Sequence, residues 1–264
     1  MNHIIRAETL TAVILTWNEE ENIARTLSHL GWLEKIIVVD SGSTDKTIEL
    51  VQAFSNTEIY TRKFDTHAVQ WNYGLSLCNS EWVLSLDADY ILTDEFIAET
   101  KEFITRDAAI AYRAFFEFLV FGKPLRSNNT TPRPVLFKKE KCLYYNDGHT
   151  QRLRINGELG TYKNKIWHDD RKPLLRWLIN QSAYSVKEAE MLLNAPPDIL
   201  SLPSKIRKTK IFAPFFIFFY SLFVKRLILD GWRGWYYTLQ RTIAESLISL
   251  RLIEDKHKDF EKIE

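Results

Sequence analysis

"SEWVLSLDADYILTDEF", Ser80 to Phe96, sets an apolar run, Trp82 to Leu86, directly against Asp87-Ala88-Asp89. An apolar run of this length between polar breakers reads as a buried strand. Carboxylates closing such a strand are costly to leave without partners. Either they are solvated turn residues ahead of a helix starting at Thr93-Asp94, or they stand at the mouth of a sheet and hold a ligand.

The neighbouring sequence favours the mouth of a sheet. Working outward, "TAVILT" (11–16), "KIIVVD" (35–40) and "EIYT" (58–61) read as strands. "EEENIARTLSHL" (19–30), "STDKTIELVQAF" (43–54) and "HAVQWNYGLSLC" (67–78) read as helices between them. Ile23, Leu27 and Leu30 share one face of the first helix, whose acidic start suits a helix dipole, and Ser43 or Thr44 could cap the second. Alternating strands and helices imply an α/β domain with parallel pairing and helices on both faces. From about residue 108 aromatic segments suggest longer, antiparallel strands; a helix is expected over 172–194, and an aromatic, basic helical extension beyond Pro203. The expected divisions are a ligand-binding half over 1–105, a second half over 106–196 and the extension over 197–264.

Three of the expected strands end in polar groups: Thr16-Trp17-Asn18, Asp40-Ser41-Gly42-Ser43 and Asp87-Ala88-Asp89. Open α/β sheets bind ligands outside the carboxyl ends of their strands. The nine glycines form neither a dinucleotide turn nor a P-loop. Two carboxylates two residues apart on extended chain point to one side and can share a hard divalent cation, which completes its shell with phosphate oxygens.

Composition narrows the partners. A formal net charge of +1 over 264 residues gives no general attraction for nucleic acid. Cys78 and Cys142 have no metal-ligand spacing, which suits a reducing compartment. The N-terminal stretch lacks the basic and apolar regions of a signal peptide, so a cytoplasmic location is expected. The sequons at Asn128 and Asn129 then read as a polar loop.

"VILTWNEEENIARTLSHL", "IIVVDSGSTDKTIELV" and "QWNYGLSLCNSEWVLSLDADY" together resemble the N-terminal half of family-2 glycosyltransferases with the GT-A fold, over about residues 9–100. The nearest type is that of bacterial lipopolysaccharide-core and surface-polysaccharide enzymes. The resemblance implies a Rossmann-like mixed sheet, a nucleotide-sugar donor (most often a UDP-sugar), Mg or Mn, inversion at the anomeric carbon and a glycan or lipid-linked acceptor. Carried over by position, Thr16, Trp17, Asn18 and Ser41 border the nucleoside, and Asp40 accepts from the base. Gln70 and Asn72 lie beside the ribose or diphosphate, while Asp87 and Asp89 take the ribose and the metal. Trp71 stands where relatives often carry Arg. The family's general base is commonly one acid of a Glu-Asp pair; here Asp147 is the candidate, with Glu158 and Asp170 as rivals. A histidine after the acceptor half ligates metal in relatives, which points to His168, with His149 as the alternative.

In the extension, the apolar run Ile211–Val224 is too short to span a bilayer. Its aromatics and flanking Lys205, Arg207, Lys208, Lys210, Lys225 and Arg226 suit a segment lying in the headgroup layer on the cytoplasmic face. A homo-oligomer interface is the competing use. Two other functions are compatible with the strand-end acids: a carbohydrate-binding or assembly subunit that has lost the chemistry, and a nucleotidyltransferase, which would need a basic triphosphate loop not evident here.

Overall fold

The structure is a computed structural model that describes residues 4–147, 150–196, 198 and 200–257; the side chains of Asp147 and Thr150 lie outside that description. Packing groups the chain into two units, one running to Pro124 and from Thr130 to Lys172, the other comprising Leu125–Asn129 and the chain from Pro173 onward. Helix 174–194, placed by sequence with the second half, packs with the carboxy-terminal unit.

In the first unit β1 (Leu10–Thr16), α1 (Ile23–Ser28), β2 (Ile36–Asp40), α2 (Thr47–Gln52), β3 (Thr57–Thr61), α3 (His67–Ser76) and β4 (Trp82–Asp87) follow the expected alternation. Then come β5 (Tyr90–Ile91), α4 (Asp94–Arg106), β6 (Ala111–Val120), β7 (Lys123–Pro124), β8 (Arg133–Lys138), β9 (Cys142–Asp147), β10 (Thr150–Ile155) and β11 (Leu159–His168). The large sheet has the order β3-β2-β1-β4-β8-β6-β11-β5, with β7 on β6; β9 and β10 form a separate antiparallel hairpin. Strand β8 alone of the long strands runs against its neighbours, so β6 and β11 point the same way as β4. The aromatic second half is therefore more parallel than its composition suggested.

The unbroken apolar runs are explained by burial on both faces. Alternate residues of each strand enter opposite cores: Leu10, Ala12, Ile14, Trp82, Leu84 and Leu86 pack with α1 and α4, whereas Val13, Ile37, Val39 and Val83 pack under α3. Helix α3 approaches β1 so closely that a Cβ at Gly74 would meet a Val13 methyl at 2.6 Å. Thr66 and Thr93 cap α3 and α4, each accepting from the backbone amide three residues on. Helices α1 and α2 begin later than periodicity indicates. Residues 19–22 and 43–46 form loops between the strands and these helices, so the acidic residues 19–21 lie ahead of α1, not in its first turn.

Strand β11 carries a register shift between Thr161 and Lys165. The Glu99 carboxylate of α4 accepts the amides of Lys163 and Asn164 (2.8 and 3.0 Å) and the Asn164 side chain (2.8 Å), supplying bonds that the ladder loses there. That brace fixes the strand ending at His168.

The second unit is helical: α5 (Leu174–Asn194), α6 (Leu202–Arg207), α7 (Phe212–Phe219) and α8 (Trp232–His257). Arg207 is turned inward, bonded to Glu188 (2.7 Å) and forked onto Glu245 (2.8–3.1 Å). The Leu125–Asn129 segment is held by an Arg126–Asp230 ion pair and by bonds from Asn129 to Ser221 and Tyr237. Among the described residues, no helix is long and apolar enough to cross a membrane.

Candidate active site

The polar ends of three strands meet at one edge of the sheet. Thr16 is opposite Asp40 on the neighbouring strand, and Leu15 is opposite Asp87. Asp40 is 2% exposed and its carboxylate is occupied internally. Thr16 Oγ1 (3.1 Å) and Ser43 Oγ (2.5 Å) donate to one oxygen, and the amides of Gly42 and Ser43 (both 2.8 Å) donate to the other. Gly42 permits this turn with a φ of +91°. Asn18, itself at φ +55°, accepts the amides of Thr44 (2.6 Å) and Asp45 (3.3 Å), while its own amide donates to Ser43 Oγ at 2.7 Å. Thr16, Asn18 and Asp40 thus strap the loops after β1 and β2 into one platform. Between them Trp17 is 54% exposed, the large aromatic surface of this platform.

Gln70 and Asn72 spend their polar atoms inside the protein. Gln70 Nε2 donates to Ser41 Oγ and to the Arg62 carbonyl, both at 3.1 Å, and its Oε1 accepts from Arg62 at 2.6 Å. Asn72 mimics a neighbouring strand: Nδ2 donates to the Tyr144 carbonyl at 2.8 Å, and Oδ1 accepts the Tyr144 amide at 3.0 Å. Trp71 follows Ala68 and precedes Leu75 on the buried face of α3 and stacks on Tyr144 with centroids 5.4 Å apart. Its indole is core, so it does not take the place of a diphosphate-binding arginine. Removing the Asn72 amide leaves two strand groups unpaired, so Asn72→Ala is expected to cost about 1–3 kcal/mol. Chemical denaturation measures that loss, and UDP affinity should change less than about twofold if Asn72 only supports β9.

Residues 88–89 form a turn, so extended geometry ends at Asp87 and strand alternation does not govern the aspartates of the opening stretch. Asp89 is 8% exposed, and the antiparallel pairing of β5 with β11 puts His168 opposite Tyr90, beside it. His168 Nε2 lies 2.9 Å from Asp89 Oδ2, its ring held edge-on by Tyr90 and Phe118. Burial pushes the Asp89 carboxyl up, but the charge and hydrogen bond of His168, with Lys172 beyond, outweigh it and bring it down to about 2. Burial likewise disfavours a charged His168, but Asp89 reverses the sign and holds the ring above its ordinary value. Lys172 is paired to Glu19 at 2.7 Å; burial lowers it, and Glu19, Asp89 and Asp170 together raise it further. Sequence reasoning missed Glu19, Asn22, Arg25, Asp169 and Lys172, which surround this pair. The proximity of residues 19–25 to 169–172 is long-range and leaves no periodic signal.

The three base candidates separate by topology. Glu158 precedes β11 at the sheet edge opposite His168; the β6 partners of Leu159 and His168 are Ala111 and Phe118, which at about 3.3 Å per residue puts the strand ends roughly 23 Å apart. Asp170 is held by Asn22 (3.0 Å) and the Lys172 amide (3.1 Å), as a loop anchor. Strand β9 climbs towards the ligand edge: Lys139 bonds Glu81 below it, and the Tyr144 hydroxyl reaches Ser85 at 2.9 Å. The backbone of Asp147 continues in that direction as the last residue of β9. Its side chain and His149 lie outside the described residues.

The donor set fits a divalent cation at Asp89 and His168. Asp89 Oδ1 is buried with no hydrogen-bond partner, and Asp89 Oδ2 and His168 Nε2 face each other at 2.9 Å, the spacing of two adjacent ligands of one cation; a carboxylate with an imidazole is a normal ligand pair. Asp87 is close enough for its charge to act on His168 as well. Among the described residues, the one acidic group of three with oxygens within 4.8 Å of each other is Glu20, Glu21 and Asp45, which includes neither Asp89 nor His168 and is more exposed.

Comparison with known proteins agrees with this architecture. Residues 11–162 match the profile of glycosyl transferase family 2. An uncharacterized glycosyltransferase of Rickettsia felis is 25% identical over 241 residues, covering 86% of this chain and 83% of that protein. The lipopolysaccharide core biosynthesis glycosyltransferase LpsC of Rhizobium meliloti is 32% identical over 84 residues, 30% of this chain and 31% of LpsC. The crystal structure of S. aureus TarS 1-349 in complex with UDP-GlcNAc superposes with a TM-score of 0.50 at 15% identity, covering 95% of this chain and 92% of that one, a likeness of fold.

Proposed function

The chain belongs to glycosyl transferase family 2, and on that premise we propose that it transfers a sugar, with inversion, from a UDP-sugar to a glycan or lipid-linked acceptor, using Mg or Mn. The observation that carries this reading is the buried Asp89–His168 pair, with Oδ2 and Nε2 facing each other and Asp89 Oδ1 unpartnered, at the ligand edge of the sheet. The strapped loops after β1 and β2 supply the nucleoside platform, with Trp17 as its aromatic surface and Asp40 and Ser41 beside it. Thr16, Asn18 and Gln70 hold that platform in shape. A bound divalent cation would neutralise the charge of the diphosphate leaving group. Asp89 and His168 would hold it, with Asp87 turned to the ribose. Asp147, arriving on β9, removes the proton from the acceptor hydroxyl as that oxygen attacks the anomeric carbon opposite the diphosphate. A panel of nucleotide sugars with Mn tests the donor class: UDP release above the no-enzyme rate is expected with a UDP-sugar, and release only from non-uridine donors would contradict it.

The likeness to LpsC supports a surface-glycan acceptor, which for a cytoplasmic enzyme means work at a membrane. Phe212, Phe215, Phe216, Phe219 and Phe223 are each 48–72% exposed on or just after α7. Such a patch, with no spanning helix among the described residues, suits docking in the headgroup layer of the cytoplasmic face. Arg207 is withdrawn into its ion pairs with Glu188 and Glu245, leaving Lys205, Lys208, Lys210, Lys225 and Arg226 as the basic flank. Each cation near an anionic surface contributes about 1 kcal/mol, screened by salt. Cosedimentation with anionic liposomes is expected, weaker with neutral ones and partly reversed by high salt. Replacing Lys205, Lys208 and Lys210 with Gln should weaken it without changing donor hydrolysis. A dilution-sensitive oligomer that ignores liposomes of every composition would assign the aromatics to self-association.

A further inference from the structure

Asn22 stands at the N-cap position of α1, yet its side chain makes no cap bond. It is 1% exposed, and its amide is committed at all four hydrogen-bonding positions. Nδ2 donates to Glu19 Oε2 and Asp170 Oδ1, both at 3.0 Å. Oδ1 accepts from the Arg171 backbone amide and from Arg25 Nη2, again both at 3.0 Å. Two of these partners belong to the β1–α1 region and two to the segment that leaves His168. Arg25 reinforces the link by donating to the Asp169 carbonyl at 2.7 Å, and the Asp169 amide donates to the Asp89 carbonyl at 3.1 Å. The chain is therefore pinned before His168 by the β5–β11 ladder and after it by Asn22. A buried amide whose donors face carboxylates and whose acceptor faces N–H groups fits in one orientation only.

We propose that Asn22 is a positioning residue: it fixes residues 169–172 on the donor-side loop and so sets His168 against Asp89. This rests on reading Asp89 and His168 as the cation pair. It assigns to Asn22 no contact with substrate.

The polarity of the partners supplies the test. Asn22→Asp keeps the volume but puts an oxygen where Glu19 and Asp170 require a donor. Adding Asp170→Asn returns a donor between positions 22 and 170. Three measurements are made on the full-length protein: hydrogen exchange of peptides 17–25 and 166–172, Mn affinity in the presence of UDP, and kcat with the donor KM. For Asn22→Asp, exchange should accelerate in those two peptides while the core strands keep their protection. The Mn Kd should rise about 10–100-fold and kcat should fall by a similar factor, the usual effect of losing an outer-shell partner. The double variant should recover part of both losses. Unchanged exchange in 166–172, or a double variant no better than Asn22→Asp, would overturn the proposal. Should Asn22→Asp not fold, Arg25→Lys takes its place, and exchange in 166–172 that stays at the native rate there would overturn it too. If His168→Ala keeps native Mn affinity while Asn22→Asp still loosens 166–172, the cation reading fails, the link between the loops stands, and its setting of a cation site is overturned.

Discussion

Asp89→Asn is expected to lower sugar transfer by on the order of 10³-fold while the protein stays folded, because it removes the charge that would hold the cation at the leaving diphosphate. The substitution keeps volume and a hydrogen-bonding group beside His168, 2.9 Å away, so the pocket formed with Tyr90 and Phe118 can persist. Asp89 is buried, so some stability is lost as well. Its folded-state pKa is depressed to about 2, so its contribution is present above the ordinary carboxylate range and lost as pH falls towards 2. The stability gap between the two proteins should therefore be widest near neutrality and close in acid, as thermal melts across pH would show. Native turnover by Asp89→Asn would remove this residue from the mechanism.

Asp147→Asn should reduce kcat by a factor of about 10²–10⁴, the usual worth of a general base, with donor binding retained. Steady-state kinetics with saturating donor separate the two effects. Glu158→Gln is the control, since β11 carries that residue to the opposite edge of the sheet; its turnover should be native. Near-native turnover by Asp147→Asn together with a dead Glu158→Gln would reverse the assignment.

The fold was legible in the sequence because double-sided burial writes itself as continuous apolar runs, as in Ala12–Leu15 and Ile36–Val39. The polar strand ends were legible as a group for the same reason: each stops an apolar run at one edge. The role of each polar side chain was less so. Asp87 and Asp89 differ because a turn begins at Ala88, and nothing in the Asp-x-Asp spacing announces it. Gln70 and Asn72 were read as ligand contacts, yet α3 directs their amides to Ser41, Arg62 and the backbone of β9. His168 stood out beside two acids, but its meeting with Asp89 depends on the short β5–β11 pairing across 79 residues. The Asn22 hub spans 148 residues to Asp170 and has no local signature at all.

The most direct measurement is calorimetric titration of UDP into the protein with Mn and with EDTA, repeated on Asp89→Asn and His168→Ala. A cation held by Asp89 and His168 against a diphosphate predicts UDP binding that requires Mn in the native protein and is lost or strongly weakened in both variants. Equal UDP affinity with Mn and with EDTA, unchanged by either substitution, would contradict it.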